Sequence, residues 1–193
     1  FIILALTKKR EVLVSETGHP QVKAVIHTYA TYRGIEIVPI PSKDGVTDYE
    51  AYLALLGTDV GGVYMQSPNY YGLIEVVSPF TDAVHRVKGL LAMGTHPIAL
   101  SVLKSPGEMG ADIAVGDGQP LGNPVSFGGP YLGYMATTDK LARKLPGRIV
   151  GQTKDLDGQT GYVLTLQARE QHIRREKATS NITSNEALVA LCA

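Results

Sequence analysis

The sequence lacks a second cysteine: Cys192 stands alone, so no internal disulfide can form, and a reducing, cytoplasmic setting is the expectation. It also lacks net charge, with 18 lysines and arginines against 18 aspartates and glutamates. A global basic field is thereby excluded, no nucleic acid or membrane partner is expected, and any anion recognition has to be local. Long apolar runs are missing too. The opening FIILALT reaches only to Lys8, Lys9 and Arg10, far short of the roughly 20 residues a membrane helix needs. The five histidines, at 19, 27, 85, 96 and 172, show neither HxH nor HExxH spacing, so no metal site is predicted. GxxxxGK[ST] is absent, and GQPLGNP lacks the GxGxxG turn of a dinucleotide site.

What is present is an alternation of strand and helix patterns. Apolar runs at 11–15, 35–40, 60–67, 90–94, 112–116 and 134–138 read as strands. Between them, His19-Pro20 opens a helix that Gly34 closes, Asp48 caps a second, and 79–88 carries a third. This predicts a three-layer α/β domain, a mostly parallel sheet with helices on both faces. FIILALT resembles the end of a helix and SNEALVALCA a helix without a stop, so the expectation is an internal piece of one large domain, truncated at both ends. Residues from about 147 to 193 are expected to form a hairpin, with Asp155 to Gly161 at its tip, and a helix leading toward a small C-terminal domain.

Two stretches carry candidate chemistry. GDGQPLGNPVSFGGPYLG, residues 116–133, is a long glycine- and proline-rich connection of the kind that lies at the functional edge of a sheet. Near it, Glu108, Asp112 and Asp117 are acid/base candidates, with solvated or capping roles as the plainer alternative. The second stretch is LTLQAREQHIRREKATSN, residues 164–181. If it is helical from Gln167, Arg169 and His172 fall at i, i+3 and Glu170 and Arg174 at i, i+4, which suits a self-compensating surface helix. The small polar residues Thr179, Ser180 and Asn181 then lead to a new helix near Thr183, and hydroxyls at a helix start suit a phosphate or carboxylate. Spacing leaves the two readings open.

REQHIRREKATSNI, PGRIVGQTKDLDG, MQSPNYYGLIE, SPGEMGADIAVGDGQPLG and SFGGPYLG, spread over nearly the whole chain, resemble the signature of the glycine decarboxylase family, the P-protein of the glycine cleavage system. The likeness is to the subunit 1 branch of the two-chain form. The resemblance implies a fold-type I, aspartate-aminotransferase-like large domain and dependence on pyridoxal phosphate. It further implies an assembly with P-protein subunit 2 that decarboxylates glycine and passes the aminomethyl group to the lipoyl arm of the H-protein. Such a site needs a Schiff-base lysine and a carboxylate facing the pyridine nitrogen. Anchored on Phe127 to Pro130, the lysine position falls at Gln119, or at Pro120 if the gap moves. The carboxylate position falls in AMGTHP, at Met93 or a neighbour. The resemblance therefore implies no cofactor on this chain and pyridoxal phosphate held by subunit 2. Thr179, Ser180 and Asn181 are expected to face the partner's cofactor phosphate, and Arg169, His172, Arg174 and Arg175 to shape the substrate entrance or the subunit contact. The alternative is a non-catalytic scaffold or regulatory pseudo-enzyme subunit. A third reading, an independent aminotransferase or desulfurase, requires a lysine adduct that the chain has no residue to form near Gln119.

Overall fold

The computed structural model describes residues 2–129, 131–146, 149–166, 171–178 and 186–193. In chain order the elements are α1 (Ile2–Thr7), β1 (Glu11–Ser15), α2 (Pro20–Thr31), β2 (Glu36–Ile40), β3 (Ser42–Lys43), β4 (Val46–Thr47), α3 (Tyr49–Leu55) and β5 (Val60–Ser67). They continue with α4 (Ser78–Arg86), β6 (Leu90–Thr95), β7 (Ile113–Asp117), β8 (Gly133–Thr137), β9 (Ile149–Lys154), β10 (Thr160–Thr165), α5 (Gln171–Arg174) and α6 (Glu186–Cys192). Six strands form one sheet in the order β2-β1-β5-β6-β7-β8. All neighbours are parallel except β7 and β8.

Side chains alternate across that sheet and sort its two faces. Leu13, Val63, Met65, Leu91 and Met93 point to one side, where they pack with Tyr52 of α3 and Phe80, Ala83 and Val84 of α4. Each such apolar side chain, once buried, contributes about 1.5–3 kcal/mol, so this face is the main core. On the other side Ile3 of α1 packs with Ile113, Leu141 and the flanking Ala92 and Val115. An apolar hollow beside it is walled by Val25, Ile26 and Tyr29 of α2 and by Val12, Tyr64 and Ala92 of the sheet. Helices thus cover both faces, as the alternating pattern predicts.

The helix starts follow from the sequence. Asp48 Oδ1 accepts the N–H groups of Glu50 and Ala51 and caps α3. His19 Nδ1 accepts the N–H of Gln21 at the start of α2, with Pro20 in the first turn. Two elements differ from the sequence pattern. The segment at 42–47, to which the sequence pattern assigns no strand, forms the small β3–β4 hairpin over Asp44 and Gly45, both at positive φ (53° and 81°). Helical structure from 171 lasts one turn, Gln171–Arg174, then tightens to a 3₁₀ turn at Arg175–Lys177, where Arg175 has φ 53°. A continuous charged helix is therefore replaced by a short, bent one. The pairs invoked for it involve Arg169 and Glu170, which lie outside the described residues.

Candidate functional site

In an open parallel sheet, ligands gather at the carboxyl ends of the strands, above all where the connections depart to opposite faces. Here that point lies between β1 and β5, since β1 continues into α2 on one face and β5 into α4 on the other. The crevice is filled by the chain itself. Ser15, Thr17, Thr47, Ser67, Asn69 and Glu75 are all buried there. The Thr17 hydroxyl donates to Glu75 Oε1 at 2.8 Å and Asn69 Nδ2 to the same oxygen at 2.9 Å. The Thr47 N–H donates to both carboxylate oxygens, at 3.2 and 3.1 Å. Ser15 Oγ joins the hydroxyls of Thr17 and Thr47 at 2.8 and 2.7 Å. Asn69 extends the set, donating to the Gly45 carbonyl and accepting from the N–H groups of Tyr71 and Leu73. A buried carboxylate satisfied by neutral donors ties three loops into one unit.

Beside this plug, over β5, β6 and β7 on the α2 face, an open cleft of about 550 Å³ remains. Its floor is Tyr64, Gly94 and Val115, which strand alternation turns away from the main core. His19 and Val22 at the start of α2 form one wall, and His96, Asp117, Gln119 and Tyr131 line the rim. His19 is fixed twice: its N–H donates to Gln66 Oε1 at 2.9 Å, and its ring meets Tyr70 edge-on at 5.3 Å. Tyr64 is 8% exposed, and its hydroxyl lies over Gly94. Burial pushes that phenol up to about 12, so it keeps its proton.

Gln119 lines the cleft. Its N–H donates to Asp117 Oδ1 at 2.8 Å and its Nε2 to the Asn123 carbonyl at 2.6 Å. An amide so held is no nucleophile, since its nitrogen lone pair is delocalised into the carbonyl. Met93 is turned into the core, 1% exposed, and the neighbour Gly94 faces the cleft instead. His172, Arg174 and Arg175 are exposed, and none of them lines the cleft. Ala178, three residues on, lines a separate groove with Ile2, Ile113 and Met135. Arg169, Thr179, Ser180 and Asn181 lie outside the described residues.

Glu108 takes the plainer of its two readings, a local cap, whereas Asp112 is neither solvated nor a cap. Glu108 accepts from the N–H and hydroxyl of Ser105, bonds that lower its pKa. Asp112 Oδ2 accepts the Leu91 N–H and meets His85 Nε2 at 2.8 Å. Sequence reasoning missed Tyr64, Gln66 and His96 as cleft residues, and Glu75 as the plug. The alternation in VGGVYMQS holds the signal for the first two, because Tyr64 and Gln66 fall opposite Val63 and Met65.

The cleft does not fit pyridoxal phosphate. Among the described residues that line it there is no lysine to bind the aldehyde and no arginine or lysine to balance a phosphate.

Comparison with known proteins places these features in a family. A family model described as the glycine cleavage system P-protein matches residues 2–193. "Probable glycine dehydrogenase (decarboxylating) subunit 1" of Moorella thermoacetica is 57% identical over 187 residues, covering 97% of this chain and 42% of the relative. The protein of the same name from Desulfitobacterium hafniense is 56% identical over 185 residues, covering 96% of this chain and 42% of its own length. Among solved structures, the crystal structure of glycine decarboxylase (P-protein) of the glycine cleavage system, in inhibitor-bound form, superposes with a TM-score of 0.92 at 46% identity. That match covers 99% of this chain and 43% of the solved one. The chain thus spans about two fifths of the length of the relatives it matches.

Proposed function

We propose that this chain, which belongs to the glycine cleavage system P-protein family, works as part of subunit 1 of a glycine dehydrogenase of the aminomethyl-transferring type. The whole enzyme decarboxylates glycine and hands the aminomethyl group to the lipoyl arm of an H-protein. Pyridoxal phosphate, on which the family depends, is held in this reading by the partner, subunit 2. The observation that supports this division of labour is at Gln119, which the resemblance puts at the family's lysine position: its amide donates to the Asn123 carbonyl, in a cleft without a described lysine. The role left to this chain is to complete the partner's site, with Thr179, Ser180 and Asn181 facing the cofactor phosphate and Arg169, His172, Arg174 and Arg175 at the entrance or subunit contact.

The test is reconstitution of intact subunit 1, subunit 2 and lipoylated H-protein, read as glycine-dependent release of carbon dioxide. Activity is expected only with all three, and the borohydride-trapped cofactor is expected on a subunit 2 peptide. A trapped lysine on subunit 1 would overturn the assignment. The absence of a described lysine in the cleft also supports a second reading, a scaffold that only stabilises its partner. Replacing Thr179 and Ser180 with alanine separates the two: weaker cofactor retention in the complex supports site completion, and unchanged retention supports the scaffold.

A further inference from the structure

Tyr64 is more than nine-tenths buried, and its hydroxyl, over Gly94 at the floor of the cleft, has no hydrogen-bond partner among the described residues. Buried polar groups are nearly always paired, by protein, water or ligand, so a donor left open toward a cleft marks where an acceptor belongs. The surroundings narrow the choice. The walls are largely apolar, formed by Val22, Val115 and the Tyr64 ring, which lies across Gly94 and offers a flat group an aromatic surface. On the rim, Asp117 uses one carboxylate oxygen for the Gln119 N–H and leaves the other to accept. His96 also lines the cleft, and its ring has no described hydrogen-bond partner. With Asp117 there and no described lysine or arginine in the lining, an anion meets repulsion and no compensating charge.

We propose that the cleft binds a small, uncharged, planar molecule that accepts a hydrogen bond from the Tyr64 hydroxyl and donates one to the Asp117 carboxylate, the pattern of a ring carboxamide. The volume of about 550 Å³ lies within the usual range for such sites. Burial keeps the phenol protonated across the working pH range, so it stays a donor.

Benzamide is the probe and benzoate its charged counterpart, titrated into the intact protein by calorimetry with saturation-transfer NMR as a second readout. Saturable benzamide binding with benzoate rejected is the expected result. Tyr64→Phe keeps the ring and removes the donor, and is expected to weaken benzamide about five- to tenfold without lowering Tm. Asp117→Asn is expected to relax the rejection of benzoate. Val22→Trp, on the partly exposed first turn of α2, narrows the cleft without entering the main core and is expected to abolish binding even if Tyr64→Phe does not fold. The proposal is overturned by an absence of saturable benzamide binding, or by binding that survives Tyr64→Phe or Val22→Trp unchanged.

Discussion

The hydroxyl of Tyr64 lies over Gly94 so closely that a methyl group on that glycine would stand 2.5 Å from the oxygen and 3.2 Å from the ring carbon that bears it. The register explains the contact. Tyr64 pairs with Ala92 in the parallel β5–β6 ladder, so its ring reaches two residues along the neighbouring strand to the next position on the same face. Ala92 and Gly94 are both small, and together they make room for an aromatic ring lying across the sheet.

Gly94→Ala is therefore expected to destabilise the protein by about 1–3 kcal/mol, the usual cost of overpacking. The added methyl has to displace the phenol and would also stand 3.3 Å from Gln66 Cγ. Combining Gly94→Ala with Tyr64→Phe removes the shorter of the two contacts, so the double variant is expected to be more stable than the sum of the single effects. Urea unfolding of the four proteins measures that coupling, and strict additivity would contradict it.

Glu75→Gln is expected to cost about 1–3 kcal/mol despite its matching shape. Whichever way the new amide turns, its nitrogen faces a donor: the Thr47 N–H on one side, or the Thr17 hydroxyl and Asn69 Nδ2 on the other. Glu75→Ala leaves those donors without an acceptor and is expected to cost more. Because Asn69 ties the loop that carries the exposed Tyr70 and Tyr71, faster proteolytic cleavage between Asn69 and Val76 is the second readout.

The contrast between Glu75 and the helix caps shows which parts of the molecule the sequence could reveal. Strand alternation and the caps at His19 and Asp48 are local, made by residues two or three apart, and they are legible without a structure. Glu75 receives its partners from Thr17 and Thr47, 58 and 28 residues away. A lone glutamate in a loop reads as solvated, so its burial was invisible. The β3–β4 hairpin was hidden for a related reason, since the Asn69 side chain holds its Gly45 carbonyl from outside the turn. Gln119 was placed by resemblance to a family, and the structure adds what holds it there.

Asp48→Ala is expected to lower stability by about 1 kcal/mol through loss of the α3 cap. Both N–H groups that Asp48 Oδ1 accepts, those of Glu50 and Ala51, are left to water. Asp48→Ser keeps an acceptor at that position and is expected to recover most of the loss in thermal unfolding.

At the opposite edge of the sheet, Glu11 and Glu36 are directly paired across the parallel β1–β2 ladder, and Asp59 lies close by. Burial first, then repulsion from Glu36 and Asp59, raises the Glu11 pKa above its ordinary value of 4.5. The folded state therefore holds the Glu11 proton more tightly than the unfolded chain does. Unfolding then releases a proton in the interval between the two values, so stability from this group falls as pH rises through it and stays lower above. Glu36→Gln removes one of the repulsions and is expected to stabilise the protein by about 0.2–1 kcal/mol at neutral pH. Thermal unfolding of both proteins between pH 4 and 8 tests this. The stability gap is expected to be smallest at pH 4 and to open as pH rises, whereas a constant gap would trace the effect to packing rather than charge.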